Sequence, residues 1–269
     1  MNRDGKITII FEKTNTFEID LQFCSMDFIL DFGNTNKKLA VFKNRKLVDL
    51  QQFSRISLPT IRKFVLQYPG IENCILSSVA RFPSSIIPFL SSCFRFIEMD
   101  EKTQVPLKNL YRSKNTLGYD RLAAAVAGSQ MFPGKDVLVI NAGTCITYDF
   151  ITAQQEYLGG AISPGIQMRF QALHTFTGKL PLITYSDKEL LTGKDTEESI
   201  LSGVVTGATA EIEGIAEKYR SKHQDLMVIL SGGDQKYFDK RLKISIFAQP
   251  NIVLFGLQQI LEFNVHKIL

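Results

Sequence analysis

Two segments of this chain join a glycine turn to residues that handle anions. Ile29-Leu30-Asp31-Phe32-Gly33-Asn34-Thr35 runs into Lys37-Lys38-Leu39-Ala40-Val41-Phe42, and Val139-Ile140-Asn141-Ala142-Gly143-Thr144-Cys145 runs into Ile146-Thr147-Tyr148-Asp149-Phe150. Aligned on Gly33 and Gly143, each is an apolar strand, a polar residue two positions before the glycine, a turn with a threonine, and a second strand. Glycine lets backbone N–H groups close on a ligand. Such amides, with a threonine hydroxyl, suit the oxygens of a nucleotide triphosphate. Asp31 offers a carboxylate where magnesium would bind, since that ion takes one or two carboxylates plus phosphate oxygens. Lys37 or Lys38 adds charge beside the same turn. Asp-x-Gly-Asn-Thr alone also describes an ordinary surface hairpin, but its repetition over residues 141–144 argues against that. The P-loop and dinucleotide fingerprints are both absent.

These turns need a scaffold, and the scaffold also repeats. Cys74-Ile75-Leu76-Ser77-Ser78-Val79 and Val228-Ile229-Leu230-Ser231-Gly232-Gly233 are apolar strands ending in small residues, each followed by a helix start (Pro83-Ser84-Ser85 and Asp234-Gln235-Lys236). Two matched pairs in the same order predict a duplicated α/β unit with a cleft between its halves. The halves are expected at residues 26–134 and 135–269, divided after Pro133-Gly134. Helices are predicted over residues 119–131, rich in alanine, and 196–220, with Ile200, Val204, Ala208 and Ile212 at helical spacing. Two glycine pairs in the second half, Gly159-Gly160 and Gly232-Gly233, are expected to let a base or ribose lie on bare backbone, although each is also a plain tight turn. Residues 1–25 have no counterpart in the second half. They are expected to be an N-terminal extension, with Met26 as an alternative start.

Composition excludes several classes. The 269 residues are 45% hydrophobic and 22% charged, with a net charge of +4 and no dense basic block. Nucleic-acid binding is therefore not expected, and no apolar run is long enough for a membrane span. Four scattered cysteines and no export signal predict a reduced, cytoplasmic protein. The three histidines have no zinc-site spacing.

Asp31-Phe-Gly-Asn-Thr35, Gly118-Tyr-Asp-Arg121, Asn141-Ala-Gly-Thr144 and Gly159-Gly-Ala-Ile-Ser-Pro-Gly165 together resemble the type III pantothenate kinases, from Met26 almost to the end. Each motif is weak alone; four in order are specific. The resemblance implies duplicated ribonuclease-H-like (actin-like ATPase) domains, a mixed sheet in each half, and an ATP cleft between them. It implies phosphorylation of pantothenate to 4'-phosphopantothenate, the first step of coenzyme A synthesis. On the ATP side it places Asp31, Phe32, Gly33, Asn34, Thr35, Asn36, Lys37 and Lys38, with Thr144 opposite and magnesium at Asp31. On the acceptor side it places Tyr111, Gly118, Tyr119, Asp120, Arg121 and Thr196. Asp120 corresponds to the catalytic base and Arg121 to a substrate contact; an attacking alcohol needs a carboxylate to accept its proton, and an anionic substrate needs an arginine. The bland reading of Asp120-Arg121 is a helix-start acid with a solvated arginine. For Thr196 it is a helix N-cap. A homodimer with the acceptor pocket at its interface is also implied.

One departure matters. The family has an aspartate that ligates potassium or ammonium where this chain has Asn141. An asparagine keeps an oxygen ligand and loses the charge, so cation dependence is expected to shift to higher concentration or disappear. Two other readings compete: another small-molecule kinase or phosphohydrolase of the same superfamily, and a nucleotide-binding regulator, which Asn141 alone favours.

Overall fold

The structure, a computed structural model, describes residues 25–188 and 190–265 and one short antiparallel pair, Ile7–Thr8 with Glu18–Ile19. The expected extension and start-site reading otherwise lie outside the described residues.

The first half opens with three antiparallel strands, β1 (Met26–Phe32), β2 (Lys37–Lys43) and β3 (Lys46–Phe53). Helix α1 (Leu58–Val65) leads to β4 (Ile71–Ser78), and α2 (Ile86–Cys93) to β5 (Arg95–Glu98). Strand β4 lies parallel to β1 and β5 parallel to β4, so the sheet order is β3-β2-β1-β4-β5. A two-residue strand, β6 (Lys108–Asn109), and α3 (Tyr119–Met131) follow.

The second half repeats this plan. Strands β7 (Val137–Ala142), β8 (Cys145–Ile151) and β9 (Glu156–Pro164) form the meander. Helices α4 (Ile166–Thr175) and α5 (Thr196–Arg220) precede β10 (Met227–Ser231), which runs parallel to β7. Then come the one-turn α6 (Gln235–Phe238), β11 (Phe247–Ala248) and α7 (Ile252–Val265). The order β11-β10-β7-β8-β9 matches the first sheet strand for strand, and β6 adds to its edge beside β9. The duplicated fold expected from the two repeated segments is present.

The central strands are apolar runs because both faces are covered: Phe28, Ile29, Leu30 and Val137 through Ile140 are fully buried. Between the sheets, α3 and α7 pack against each other and against Ile29, Ile75, Val139 and Ile229. The alanines of α3 permit this close crossing. A Cβ on Gly256 of α7 would lie 1.8 Å from the carbonyl oxygen of Ala123. This packing anchors α3, whose first turn faces the cleft.

Candidate active site

The ends of β1, β7 and β10 and the starts of α3 and α7 surround a cleft of about 560 Å³. Its walls are the two predicted glycine turns. In the first, Gly33 N–H donates to the Asn36 carbonyl at 3.0 Å; in the second, Gly143 N–H donates to the Cys145 carbonyl at 2.9 Å. The first turn is two residues longer, which brings Thr35 to Thr144: their hydroxyl oxygens stand 3.0 Å apart across the cleft. Asp31, Gly33, Asn34, Thr35, Asn36, Lys38, Asn141 and Thr144 all line it. Gly232 and Gly233 form another wall. Gly232 needs its left-handed backbone (φ +102°), and a Cβ there would lie 2.0 Å from the Ala142 carbonyl oxygen.

Strand alternation separates the two lysines. Lys38 faces the cleft and donates from Nζ to Asn251 Oδ1 at 2.9 Å. Burial lowers its pKa, while nearby Asp31 opposes that shift. Lys37 points away and is buried, with Nζ donating to the Asn34 carbonyl at 3.1 Å. Phe32 likewise leaves the cleft and packs on Phe82 in the core of the first half. Asp31 is the most perturbed carboxylate of the cleft. Burial pushes its pKa up to about 6, Lys38 pulls it down, and the charge of Asp120 pushes it further up.

Asp120 sits in the first turn of α3 and lines the same cleft. Its Oδ1 accepts the Arg121 backbone N–H at 2.9 Å. Gly118, directly before the helix, leaves room for that carboxylate, since a Cβ there would lie 2.4 Å from Asp120 Oδ1. Arg121 is not a solvated arginine. It is 6% exposed and ion-paired with fully buried Asp149, under the ring of Tyr111.

Tyr111, Gly118 and Arg121 are not among the residues that line this cleft, and four more of the expected contacts stand elsewhere. Gly159 and Gly160 lie within β9, not on the cleft wall. The face of Gly159 (φ +97°) carries the Tyr111 ring, and that of Gly160 carries the Tyr148 carbonyl. Tyr119 borders a separate hollow with Asp100 and Lys114. Thr196 borders a cavity of about 900 Å³ between α4 and α5, away from Asp120. Its N-cap reading is corrected: the cap of α5 is Asp195, whose Oδ1 accepts the Glu198 N–H at 2.8 Å.

A family model described as type III pantothenate kinase matches residues 28–218, more than half of the chain. This chain belongs to the type III pantothenate kinase family. A family relative from Christiangramia forsetii is 44% identical over 240 residues, covering 89% of this chain and 99% of that one. Among solved structures, a Campylobacter jejuni protein described as a candidate Baf family transcriptional activator superposes with a TM-score of 0.56 at 20% identity, over 89% of this chain and 99% of that one. A Listeria monocytogenes protein described as a candidate N-acetylmannosamine kinase gives 0.53 at 13% identity, over 89% and 100%. At such identities these two show the fold alone, and that fold is the duplicated one of the actin-like ATPases and sugar kinases.

Several cleft residues went unnoticed in the sequence of this family member: Asp234, Asn251, Thr147 and, on α4, Gln167, Met168 and Gln171. Asn251 carried a signal, since a polar residue ahead of an apolar helix often marks its start; it also adopts φ +58°. Asp234 follows the Gly232-Gly233 pair directly, and burial raises its pKa.

Proposed function

We propose that this chain acts as its family name states, moving the γ-phosphoryl group of ATP onto the primary hydroxyl of pantothenate to give 4'-phosphopantothenate for coenzyme A synthesis. The observation that carries this reading is one cleft holding Asp31, Asp120 and both glycine turns. The amides and hydroxyls of those turns bind the phosphates, with Lys38 beneath them. Asp120 receives the proton of the attacking hydroxyl, which a nucleotide-binding regulator would not need. Arg121 meets the pantothenate carboxylate beside Tyr111 and Gly118. Asp31 fits magnesium, being a single desolvated carboxylate next to the phosphate turn. Magnesium bound there would neutralise charge on the transferring group.

Asn141 on the cleft wall supports a monovalent-cation site of oxygen ligands without the negative charge of the family's aspartate. The separation of Thr196 from Asp120 within one chain supports a homodimer with the acceptor pocket at its interface. The repeated strand order supports halves at residues 26–134 and 135–269. Among the described residues no helix is long and apolar enough to cross a membrane, and we place the enzyme in the cytoplasm.

The test is ADP release with ATP, magnesium and pantothenate, at varied potassium and ammonium, beside an Asp120→Asn control. Pantothenate-dependent turnover that the control removes supports the reading. ATP binding without turnover at any cation level would favour the regulator.

A further inference from the structure

Arg121 pairs with a single, fully buried carboxylate, that of Asp149. Its Nε donates to Asp149 Oδ1 at 2.9 Å, and its Nη2 lies 2.7 Å from the same oxygen. The Tyr157 hydroxyl donates to that oxygen as well, at 2.7 Å. Two donors, from α3 and β9, thus converge on one carboxylate oxygen of β8, with Nη2 in ion contact beside them. The Tyr157 ring stacks on Tyr111 at 6.1 Å between centroids, and Tyr111 covers the guanidinium with its centroid 5.7 Å from Cζ. The arrangement occupies the Nε–Nη2 edge of the guanidinium and fixes its plane. Nη2, although in ion contact with Asp149, has no hydrogen-bond partner among the described residues.

A buried ion pair seldom adds net stability over an apolar pair, so its presence asks for another use. Burial pushes the Asp149 carboxyl up, and the Arg121 charge is the chief effect opposing it. Resting on the pantothenate reading, we infer that Asp149, backed by Tyr157, is a positioning residue that aims Arg121 at the substrate carboxylate. It thereby sets the preference for an anionic acceptor over a neutral one. Asp149 touches neither substrate nor the reacting atoms. Its effect belongs in acceptor affinity and leaves phosphoryl transfer alone.

The discriminating pair of acceptors is pantothenate and pantothenol, in which an alcohol replaces the carboxylate. With the native enzyme, pantothenate is expected to have the lower KM. Asp149→Asn should raise the pantothenate KM about tenfold to a hundredfold, as for loss of an oriented charge-assisted contact. The pantothenol KM, the kcat and the KM for ATP should move little, so the preference collapses. Tyr157→Phe should raise the pantothenate KM alone by about threefold to tenfold. It decides the matter if Asp149→Asn fails to bind ATP and so has not folded. A parallel rise for both acceptors, or a preference left intact, overturns the positioning role while pantothenate turnover stands. A native enzyme that phosphorylates neither acceptor overturns the functional reading and this inference together.

Discussion

The hydroxyls of Thr35 and Thr144, 109 positions apart in the chain, meet at 3.0 Å where the two glycine turns face each other. The contact is exposed, so it adds little to stability, and its value lies in what it marks. Each threonine belongs to one copy of the repeat, and the point where they meet is where a phosphate chain would be gripped from both sides. Thr35→Ala and Thr144→Ala are each expected to weaken a magnesium complex of a non-hydrolysable ATP analogue about threefold to tenfold, with melting temperature unchanged. Calorimetric titration of both single variants and the double variant gives the coupling. Strictly additive losses would show that the two hydroxyls do not share a ligand.

Asp120→Asn keeps the shape of the side chain and removes the proton acceptor. The expected result is a fall in kcat of about a hundredfold to ten-thousandfold, with the KM for ATP close to native. Steady-state kinetics measures both. A drop confined to KM would move Asp120 out of the base's role.

Asp31 connects function to stability through pH. Its pKa, raised to about 6 by burial first and the charge of Asp120 last, means that the ligand-free folded protein binds a proton more tightly than the unfolded chain does. The charged carboxylate therefore destabilises the fold at neutral pH, and that penalty is relieved as pH falls from above 6 toward the unfolded value near 4. Asp31→Asn should stabilise the ligand-free protein at pH 7.5 by about 2 kcal/mol, with the gain vanishing near pH 4, while magnesium-dependent ATP binding is lost. Thermal melts of both proteins across this pH range provide the check. An unchanged or lowered melting temperature at pH 7.5 would contradict the desolvation of Asp31.

Much of this site was legible in the sequence because duplication repeats its own signals. The glycine turns, the duplicated α/β plan and helices α3 and α5 followed from matched segments, alanine content and apolar spacing. What escaped depends on which way a side chain points. A Gly159-Gly160 pair looks the same in sequence whether it faces a nucleotide or accommodates Tyr111. Lys37 and Lys38 are adjacent in sequence and opposite in space, and only the register of β2 assigns one to the cleft. Asp149 lies in a strand of apolar residues, and its partner Arg121 is 28 positions away, beyond the reach of local pattern. Asn251 reaches Lys38 across 213 positions.

Asn141 gives a gain-of-function test. Asn141→Asp restores a negative charge beside the phosphate turns. Turnover by the variant is expected to be stimulated by potassium or ammonium at lower concentration than that of the native protein. Initial rates across a cation titration, at constant ionic strength with a bulky organic cation as filler, separate this from general salt screening. Identical titration curves would remove Asn141 from any cation site.

Gly118 allows the geometry of the base to be tested without touching it. Its backbone (φ −62°, ψ 128°) suits any residue, so Gly118→Ala brings no conformational strain and slightly reduces the freedom of the unfolded chain. A stability change within about 1 kcal/mol is expected. The new methyl, however, would sit 2.4 Å from Asp120 Oδ1, closer than any contact permits, and the flexible carboxylate is the group that gives way. A displacement of that size in a base lowers kcat by about tenfold to a hundredfold, without the change in ATP affinity that damage to the glycine turns would cause. A variant with native melting temperature, native ATP binding and reduced kcat meets this expectation. If kcat is also native, the proton acceptor has tolerance to spare, and the glycine before α3 serves only the turn.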